Sequence, residues 1–337
     1  MAATLRRIEA LHYRVALRPG APVGEREGVL LDWHAADGRR AISEISPLPG
    51  FSDEDLAACL DACRRCLADG AEAAEARLAA ALAGRSAGGA DDPLGALPPA
   101  ARFGLEAGWL QLGQPPGPTP TVATCRLLPA GEALPEGAAG ACLKVKVGRD
   151  SVAADQRRLA RLQAELPATT RLRLDANRSW TPEQAARICD SLDPRRVAFV
   201  EEPLLPGASY AGWAARTAIP FAWDETLREH PDADLATPGL GAVVLKPMLS
   251  GLARTRAWLD AARASGRAAV LSAAFESNLT LDLYARLTAH WGLTATPGLD
   301  TFGVWPVALL EPLRSQPGHG DRPVRHRDAL TPLEPLL

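Results

Sequence analysis

Short apolar runs alternate with helical stretches through the last two thirds of the chain. An apolar run bounded by turn residues is typical of a buried strand, and longer stretches with helical spacing predict helices. Strands that alternate with helices predict βαβ units and a parallel sheet. The runs lie at 121–128, 142–148, 171–176, 197–203, 221–226, 242–247 and 268–275, and the helical stretches lie at 151–165, 181–192, 251–264 and 278–290.

This repeat favours a closed β/α barrel over an open doubly wound sheet. An open sheet of this kind usually carries a Gly-rich phosphate loop after its first strand, and the sequence has neither GxGxxG nor a P-loop there. A barrel also predicts where chemistry occurs, because its active site lies at the C-terminal ends of the strands.

The first part of the chain has a different pattern, which predicts a small α+β layer. Strands are predicted at 5–18 and 26–34, and a capped helix is expected to start at Ser52. The remaining predicted segments are an Ala-rich helical stretch at 53–83, a loop at 84–93, a helix at 98–110 and a Pro-rich joint at 114–120.

Charged residues end five consecutive strands of the predicted barrel. Asp175, for example, ends the alternating run in RLRLDANRSW (171–180). Each such residue alone could be an ordinary cap or turn residue, but in a barrel they all surround one mouth. The strand-end residues are Lys144 and Lys146, Asp175, Glu201 and Glu202, Asp224 and Glu225, and Lys246.

Converging carboxylates repel one another unless a cation neutralises them. Carboxylate oxygens that leave positions open for substrate suit Mg²⁺. A lysine beside such a site is a plausible general base for a proton next to a carboxylate, because the metal stabilises the resulting negative charge. The pattern therefore predicts metal-assisted proton abstraction.

Composition excludes other classes of partner. The net charge of −3 and pI near 6.1 give no electrostatic footprint for nucleic acid. No apolar run is long enough to cross a membrane, and the N-terminus resembles no secretory signal, so we expect a cytoplasmic protein without disulfides. Cys59, Cys63 and Cys66 share one helical face and are interpreted as small buried residues rather than metal ligands.

The ordered motifs resemble the enolase superfamily, in its muconate-lactonising branch. Further stretches are similar to the o-succinylbenzoate synthase family within that branch. The superfamily motifs are KVKVG (144–148), RLDANR (173–178), EEP (201–203), WDE (223–225) and LKP (245–247); the closer ones are EISPLPGFS (44–52), AWDE (222–225) and PGLDT (297–301).

The resemblance implies a two-part fold of class α/β. A modified (β/α)₇β TIM-type barrel is expected at 101–305. An α+β capping domain is expected at 1–100, completed by the C-terminal tail at 306–337. The loop at 21–28 is expected to close over the substrate, with no contact residue assigned within it.

The resemblance also implies roles for individual residues. Asp175, Glu201 and Asp224 would bind Mg²⁺, for which Mn²⁺ can substitute. Lys146 would act as general base and then as general acid, and Lys246 would stabilise the intermediate from the opposite face. Lys144 and Glu225 would be supporting residues, and substrate-binding residues would be Ser272 and Gly298. From its position on the strand, Arg173 either supports the site or fills the barrel interior, and Asn177 is either a supporting residue or a turn residue. Ala273 and Ala274 stand where relatives carry serines, which weakens hydrogen-bond assignments in that pocket.

The implied reaction is the syn-dehydration of 2-succinyl-6-hydroxy-2,4-cyclohexadiene-1-carboxylate to o-succinylbenzoate, in menaquinone biosynthesis, through a metal-stabilised enediolate. The expected partner is thus a small carboxylate substrate, and the oligomeric state is left open. The same machinery also supports N-succinylamino acid racemisation, dipeptide epimerisation and cycloisomerisation.

Two further classes are weighed against this reaction. A non-catalytic binding barrel predicts that at least one residue of the site is lost. The three expected metal ligands and the two expected catalytic lysines are all present: Asp175, Glu201, Asp224, Lys146 and Lys246. A metal-dependent aldolase or hydrolase predicts histidines at strand ends. His230 and His290 fall elsewhere and are interpreted as ordinary surface or boundary residues.

Overall fold

The computed structural model describes residues 4–83, 94–129, 137–310 and 327–337. The predicted loop at 84–93 lies outside the described residues, as does most of the short segment between the first two barrel strands. Within the described part of the chain, no helix is long and apolar enough to cross a membrane.

The N-terminal layer is an antiparallel sheet covered by helices. Its strands are β1 (Leu5–Ala16), β2 (Glu25–Ala35), β3 (Arg40–Ile45) and β11 (Thr331–Pro332), in the order β11-β1-β2-β3. The tail strand β11 pairs with β1, although more than three hundred residues separate them. Helix α3 (Pro99–Gly113) packs on this sheet, where Gly104 and Gly108 admit the side chains of Ile45 and Trp33. The boundaries of the two expected domains stay a prediction.

Two helices replace the single predicted helical stretch at 53–83. They are α1 (Leu56–Leu67) and α2 (Ala71–Leu82), and Gly70, with φ +89°, separates them. The expected helix start at Ser52 is wrong. Asp55 is the N-cap and accepts a hydrogen bond from Ala58 N (2.7 Å), whereas Ser52 Oγ accepts one from Leu48 N (3.0 Å). A longer turn therefore follows the EISPLPGFS segment before the helix begins.

The second sheet contains seven parallel strands in sequence order, as the alternating pattern predicts. The strands are β4 (Arg126–Leu128), β5 (Cys142–Lys146), β6 (Arg171–Asp175), β7 (Val197–Glu201), β8 (Phe221–Trp223), β9 (Leu240–Leu245) and β10 (Ala268–Leu271). The intervening helices are α4 (Val152–Glu165), α5 (Pro182–Asp190), α6 (Trp213–Arg216), α7 (Glu225–Glu229), α8 (Leu252–Ala264) and α9 (Asn278–His290). The first strand is shorter than the predicted run at 121–128.

Residues 297–298 close the barrel in place of a full eighth strand. Gly298 forms a parallel bridge with Ser272, and its N–H donates to Leu271 O (2.8 Å). On the other side, Cys125 N donates to Pro297 O (2.8 Å), which connects the closing segment to the start of β4. This arrangement confirms the expected (β/α)₇β architecture.

The barrel interior is apolar on one side and polar on the other. Phe199, Ala222, Ala242, Val244 and Val270 form a small core inside the strands β7–β10. Arg173 of β6 is the buried basic residue next to this core. Residues two apart on a strand share a side, so this interior layer leads directly to the side chains at the strand ends.

Candidate active site

The strand-end residues come together in one row because the strands are parallel and in register. Lys146 is paired with Asp175, and Asp175 is paired with Glu201. Asp224 and Lys246 follow directly after β8 and β9. The three carboxylates are each at most 3% exposed, whereas the lysines are half-buried.

The lysines form ion pairs with the carboxylates around the barrel mouth. Lys144 Nζ lies 2.8 Å from Asp175 Oδ2 and 2.7 Å from Glu201 Oε2. Lys146 Nζ lies 2.6 Å from Asp175 Oδ2, and Lys246 Nζ donates to Asp224 Oδ2. Each acid therefore has an ammonium group as its counter-charge.

Burial and charge shift the protonation equilibria of these groups in opposite directions. Burial raises the pKa of Glu201, and the neighbouring charge of Asp175 raises it further, to about 7. Burial also opposes ionisation of Asp175, but Lys144 and Lys146 outweigh it and hold the pKa of Asp175 well below its ordinary value. Divergent pKa values of this kind are expected for neighbouring carboxylates that share a limited number of positive charges.

The two buried ammonium groups are stabilised by the same contacts. Burial disfavours the charge on Lys144, but Glu201 and Asp175 outweigh burial and raise its pKa. Asp224 and Glu201 similarly overcome the burial of Lys246 and raise its pKa. A proton acceptor on this wall thus needs additional positive charge nearby before it can act as a neutral amine.

The donor set fits a hard divalent cation. Asp224 Oδ1 is buried and accepts no hydrogen bond from any described residue. Glu225 Oε2, in the next residue, is likewise buried without a hydrogen bond, and burial raises the pKa of this carboxyl. Unsatisfied buried carboxylate oxygens are costly, and oxygen ligands of this type are those that Mg²⁺ prefers. In this structure, however, the three expected ligand carboxylates do not draw within 4.8 Å of one another as a group.

A tighter acid cluster lies elsewhere and is already neutralised. Glu9, Asp32 and His34 on the N-terminal sheet have ligand atoms within 4.8 Å of one another. Arg40 lies 2.5 Å from Asp32, and Arg327 forms ion pairs with both Asp32 and Glu9. Arginines supply the counter-charge here.

The supporting residues differ in what they contact. Asn177 Oδ1 accepts a hydrogen bond from Lys146 Nζ (2.7 Å), and Asn177 N donates to Asp175 Oδ1 (3.1 Å). Arg173 instead lies inside the barrel, with its guanidinium 5.0 Å from the centre of the Phe199 ring. Asn177 thus orients the site directly, while Arg173 adds positive charge beneath it.

The two expected substrate-binding residues contact each other. Ser272 Oγ donates to Gly298 O (3.3 Å), and a Cβ at position 298 would lie 2.8 Å from Ser272 Oγ. The glycine therefore leaves space for the serine at the rim of the mouth. His230 and His290 are exposed residues outside this constellation.

Glu202 is a residue that the sequence pattern left without a role. Its carboxylate accepts hydrogen bonds from Asp224 N (2.7 Å), Thr226 N (2.7 Å) and Thr226 Oγ1 (2.8 Å). Arg178 reaches Glu202 (3.4 Å) and forms two hydrogen bonds with Glu229 (2.6 and 2.8 Å). The second glutamate of EEP therefore fixes the loop that carries Asp224.

Two signals mark this mouth independently of the motifs. The chain contains only three lysines, Lys144, Lys146 and Lys246, among 37 lysine and arginine residues. Arginine thus serves wherever a surface cation suffices, and lysine remains where an amine that can lose a proton is needed. The other signal is backbone strain: the described non-glycine residues with positive φ, Asn177, Arg178, Glu202 and Phe275, all follow barrel strands.

Comparison with known proteins gives a consistent assignment. Residues 133–323 match the family described as Enolase C-terminal domain-like. An o-succinylbenzoate synthase of Klebsiella pneumoniae (strain 342) is 36% identical over 309 residues, which cover 88% of each chain. The enzyme of the same name from Enterobacter sp. (strain 638) is 37% identical, covering 89% of each chain.

Solved structures share the fold. A mandelate racemase/muconate lactonizing protein from Herpetosiphon aurantiacus superposes with a TM-score of 0.73 at 24% identity, covering 90% of this chain and 91% of the other. The o-succinylbenzoate synthase from Thermosynechococcus elongatus BP-1, solved with Mg in its active site, gives a TM-score of 0.64 at 24% identity, covering 87% and 92%.

Proposed function

We propose a function for this chain from one premise: the chain belongs to the enolase superfamily, through the Enolase C-terminal domain-like family. The proposed reaction is the syn-dehydration of 2-succinyl-6-hydroxy-2,4-cyclohexadiene-1-carboxylate to o-succinylbenzoate, a step of menaquinone biosynthesis. The observation that carries it is the similarity to relatives named o-succinylbenzoate synthase, at 36–37% identity over almost nine tenths of both chains.

Asp175, Glu201 and Asp224 would hold Mg²⁺, and Mn²⁺ would be able to substitute. Two observations support this assignment: Asp224 Oδ1 is buried without a hydrogen bond from any described residue, and burial together with the charge of Asp175 raises the pKa of Glu201. When bound, the cation supplies positive charge that stabilises the charge developing on the substrate carboxylate and leaves the lysine amines easier to deprotonate.

Lys146 moves the proton. Its neutral Nζ takes the α-proton of the substrate, and the resulting ammonium then gives that proton to the hydroxyl on the same face, which leaves as water. Asn177 Oδ1 and Asp175 Oδ2, at 2.7 and 2.6 Å, aim Nζ throughout. The ring gains its third double bond, so aromatisation drives the elimination and proton abstraction is the difficult step.

The other residues bind and orient. Lys246 would face the opposite side of the substrate and stabilise its negative charge, while Lys144 keeps Glu201 and Asp175 in place. Ser272 and Gly298, at the rim, would hold the succinyl carboxylate. Glu202 acts through Asp224 and is a positioning residue.

The first test is turnover by the purified protein. Loss of diene absorbance with the cyclohexadiene substrate should require Mg²⁺, produce one water per product by mass, and disappear in Lys146→Ala. Lys144→Arg and Lys246→Arg are measured in the same assay, because each keeps the positive charge but replaces an amine that can readily lose its proton. A folded protein without turnover would contradict the proposal, and α-proton exchange of N-succinylamino acids in deuterated water would then identify a racemase.

A second readout needs no turnover. Because the chain has three lysines, selective ¹³Cε-lysine labelling gives three assignable resonances. Mg²⁺ should shift all three, and the shift should vanish in Asp224→Asn. Lysine chemical shifts that do not change when Mg²⁺ is added would contradict a metal site at this mouth.

A further inference from the structure

The loop of residues 272–277, which joins β10 to α9, holds an aromatic residue in a strained backbone conformation. Phe275 has φ +63°, a region that bulky L-residues rarely adopt. Such strain persists only where surrounding contacts over-determine it, and it concentrates at functional sites. The contacts that hold Phe275 in this conformation therefore indicate the function of the loop.

Arg26 of β2 is one of the groups that hold the loop. It is fully buried, and its Nε donates to Phe275 O (3.1 Å). The two remaining ends of its guanidinium donate to Pro47 O (2.6 Å) and Ser46 O (2.7 Å) in the EISPLPGFS segment. The Arg26 side chain thus connects the turn at Ser46 and Pro47 in the N-terminal layer to the 272–277 loop of the barrel.

Two further contacts support the same conformation. Trp305 Nε1 also donates to Phe275 O (3.3 Å). Glu276 accepts hydrogen bonds from Ala274 N (2.5 Å) and Tyr284 Oη (3.0 Å), which closes the loop from the barrel side. The Phe275 carbonyl therefore accepts hydrogen bonds from two buried residues, which hold the backbone at this position.

The Phe275 side chain contributes to an apolar patch at the mouth, which we call the mouth patch. Its members come from four separate segments: Leu48, Leu249 and Ala274 are buried, whereas Val23 and Phe275 pack against them and remain partly exposed. Leu249 lies one short turn after Lys246 and donates to Lys246 O (2.9 Å), so the patch adjoins the catalytic wall. Val23 is the described member of the 21–28 loop that packs here, and β2 begins two residues later.

We propose that Arg26 is a positioning residue that sets substrate specificity: by holding the Phe275 carbonyl, it keeps the Phe275 ring in the mouth patch against the carbocyclic part of the substrate. The inference rests on the proposed function, because that substrate presents an apolar six-membered ring between two carboxylate groups. Lysines and metal recognise the carboxylate end, and the mouth patch recognises the ring.

The kinetic test is Arg26→Gln, with Arg26→Lys as the conservative variant. If the ring contact is made equally in substrate and transition state, its loss raises KM and leaves kcat nearly unchanged. We expect KM to rise about tenfold for Arg26→Gln, less for Arg26→Lys, with kcat within about threefold. A fall in kcat at constant KM would overturn the proposal, because it reports only a smaller folded fraction.

Two controls separate positioning from stability. Arg14→Gln makes the same change at an exposed arginine of β1, and KM should not move. Leu78→Ala removes a buried side chain of α2 away from the mouth, and it should lower thermal stability without raising KM. An increase in KM for Leu78→Ala as large as that of Arg26→Gln would overturn the proposal.

A stability cycle tests the inference even if the wild type does not turn over the diene. Phe275→Gly and Phe275→Ala both remove the ring, but only glycine relieves the left-handed strain. The glycine variant should unfold several degrees above the alanine variant in the wild-type background. In the Arg26→Gln background the difference should become smaller, because the Phe275 carbonyl then keeps only the hydrogen bond from Trp305 Nε1 and the loop can relax further. An equal difference in both backgrounds would contradict the positioning role.

Discussion

At the residue scale, backbone conformation matters as much as side-chain identity around the mouth. Asn177, Arg178 and Glu202 adopt left-handed conformations directly after the acids of β6 and β7. This turn allows Asn177 Oδ1 to reach back to Lys146 and Glu202 to reach forward to the Asp224 backbone. These hydrogen bonds offset the strain of the left-handed residues.

Gly148, just after the KVKVG lysines, provides a prediction at this scale. Its φ is +75°, and a Cβ there would lie 1.7 Å from Ser179 Oγ and 2.9 Å from Ser179 Cβ. Gly148→Ala should therefore lower the free energy of unfolding by at least ~2 kcal/mol, of which ~1 kcal/mol is left-handed strain and the rest overlap. Urea unfolding would measure the loss.

The matched control for that change is Gly266→Ala. Gly266 has φ +66°, and a Cβ there would meet no atom within 4 Å, so only the conformational cost of ~1 kcal/mol applies. An equal loss of unfolding free energy in the two variants would show that overlap with Ser179 contributes nothing to the effect of Gly148→Ala.

At the element scale, charged side chains of the N-terminal strands β2 and β3 join the two layers. Glu44 at the end of β3 accepts hydrogen bonds from Ser277 N (3.2 Å), Ser277 Oγ (2.6 Å) and Thr280 Oγ1 (2.5 Å) at the start of α9. Arg26 anchors the preceding loop. An acid from another layer therefore holds the N-cap residue of α9 and a hydroxyl of its first turn, and the Ser277 side chain makes no cap hydrogen bond of its own.

Glu276 makes this junction sensitive to pH. Burial raises the pKa of this carboxyl to about 7, from an ordinary value of 4.5. Because the folded-state pKa is the higher one, the protonated form stabilises the fold: its contribution is complete below pH 4.5 and is lost as the pH rises through about 7. Between pH 5 and pH 8 the free energy of unfolding should therefore fall more for the wild type than for Glu276→Gln, and the two decreases should differ by up to ~3 kcal/mol.

Unfolding by urea at several pH values in that interval would measure this difference. Glu72→Gln, at an exposed position of α2, serves as the control and should follow the wild-type profile. Parallel pH profiles for the wild type and Glu276→Gln would contradict the prediction.

At the scale of the whole molecule, the C-terminal tail completes the N-terminal sheet. Leu333 N donates to Ala10 O (2.9 Å), Leu336 N donates to Ile8 O (3.0 Å), and Ile8 N donates to Leu337 O (3.1 Å). Leu336 is also buried. The tail therefore covers an edge strand that would otherwise expose unpaired backbone groups.

Deletion of residues 331–337 should lower the free energy of unfolding by about 3 to 5 kcal/mol, from the three backbone hydrogen bonds above, the β1–β11 pairing and one buried leucine. Hydrogen exchange should accelerate in β1. Glu334→Ser, an exposed change in the same tail, should alter neither quantity. Unchanged exchange in β1 after the deletion would contradict the role of the tail.

The sequence by itself determined the barrel and the position of its chemistry. Alternating apolar runs and helical stretches predict the parallel strands, because side-chain direction within a strand depends on local parity alone. The same parity places Lys144 and Lys146 on one side of β5, and a charged residue at each strand end then has to face a common mouth. Local signals were sufficient for these features.

Only the tertiary structure decided how those side chains are held. Glu202, Arg26 and Phe275 act through partners that are distant along the chain, and periodicity carries no information about such partners. Barrel closure by residues 297–298 likewise depends on backbone hydrogen bonds between separate segments. Local pattern fixes which way a side chain points, but the contacts that satisfy buried polar groups are known only once the layers pack together.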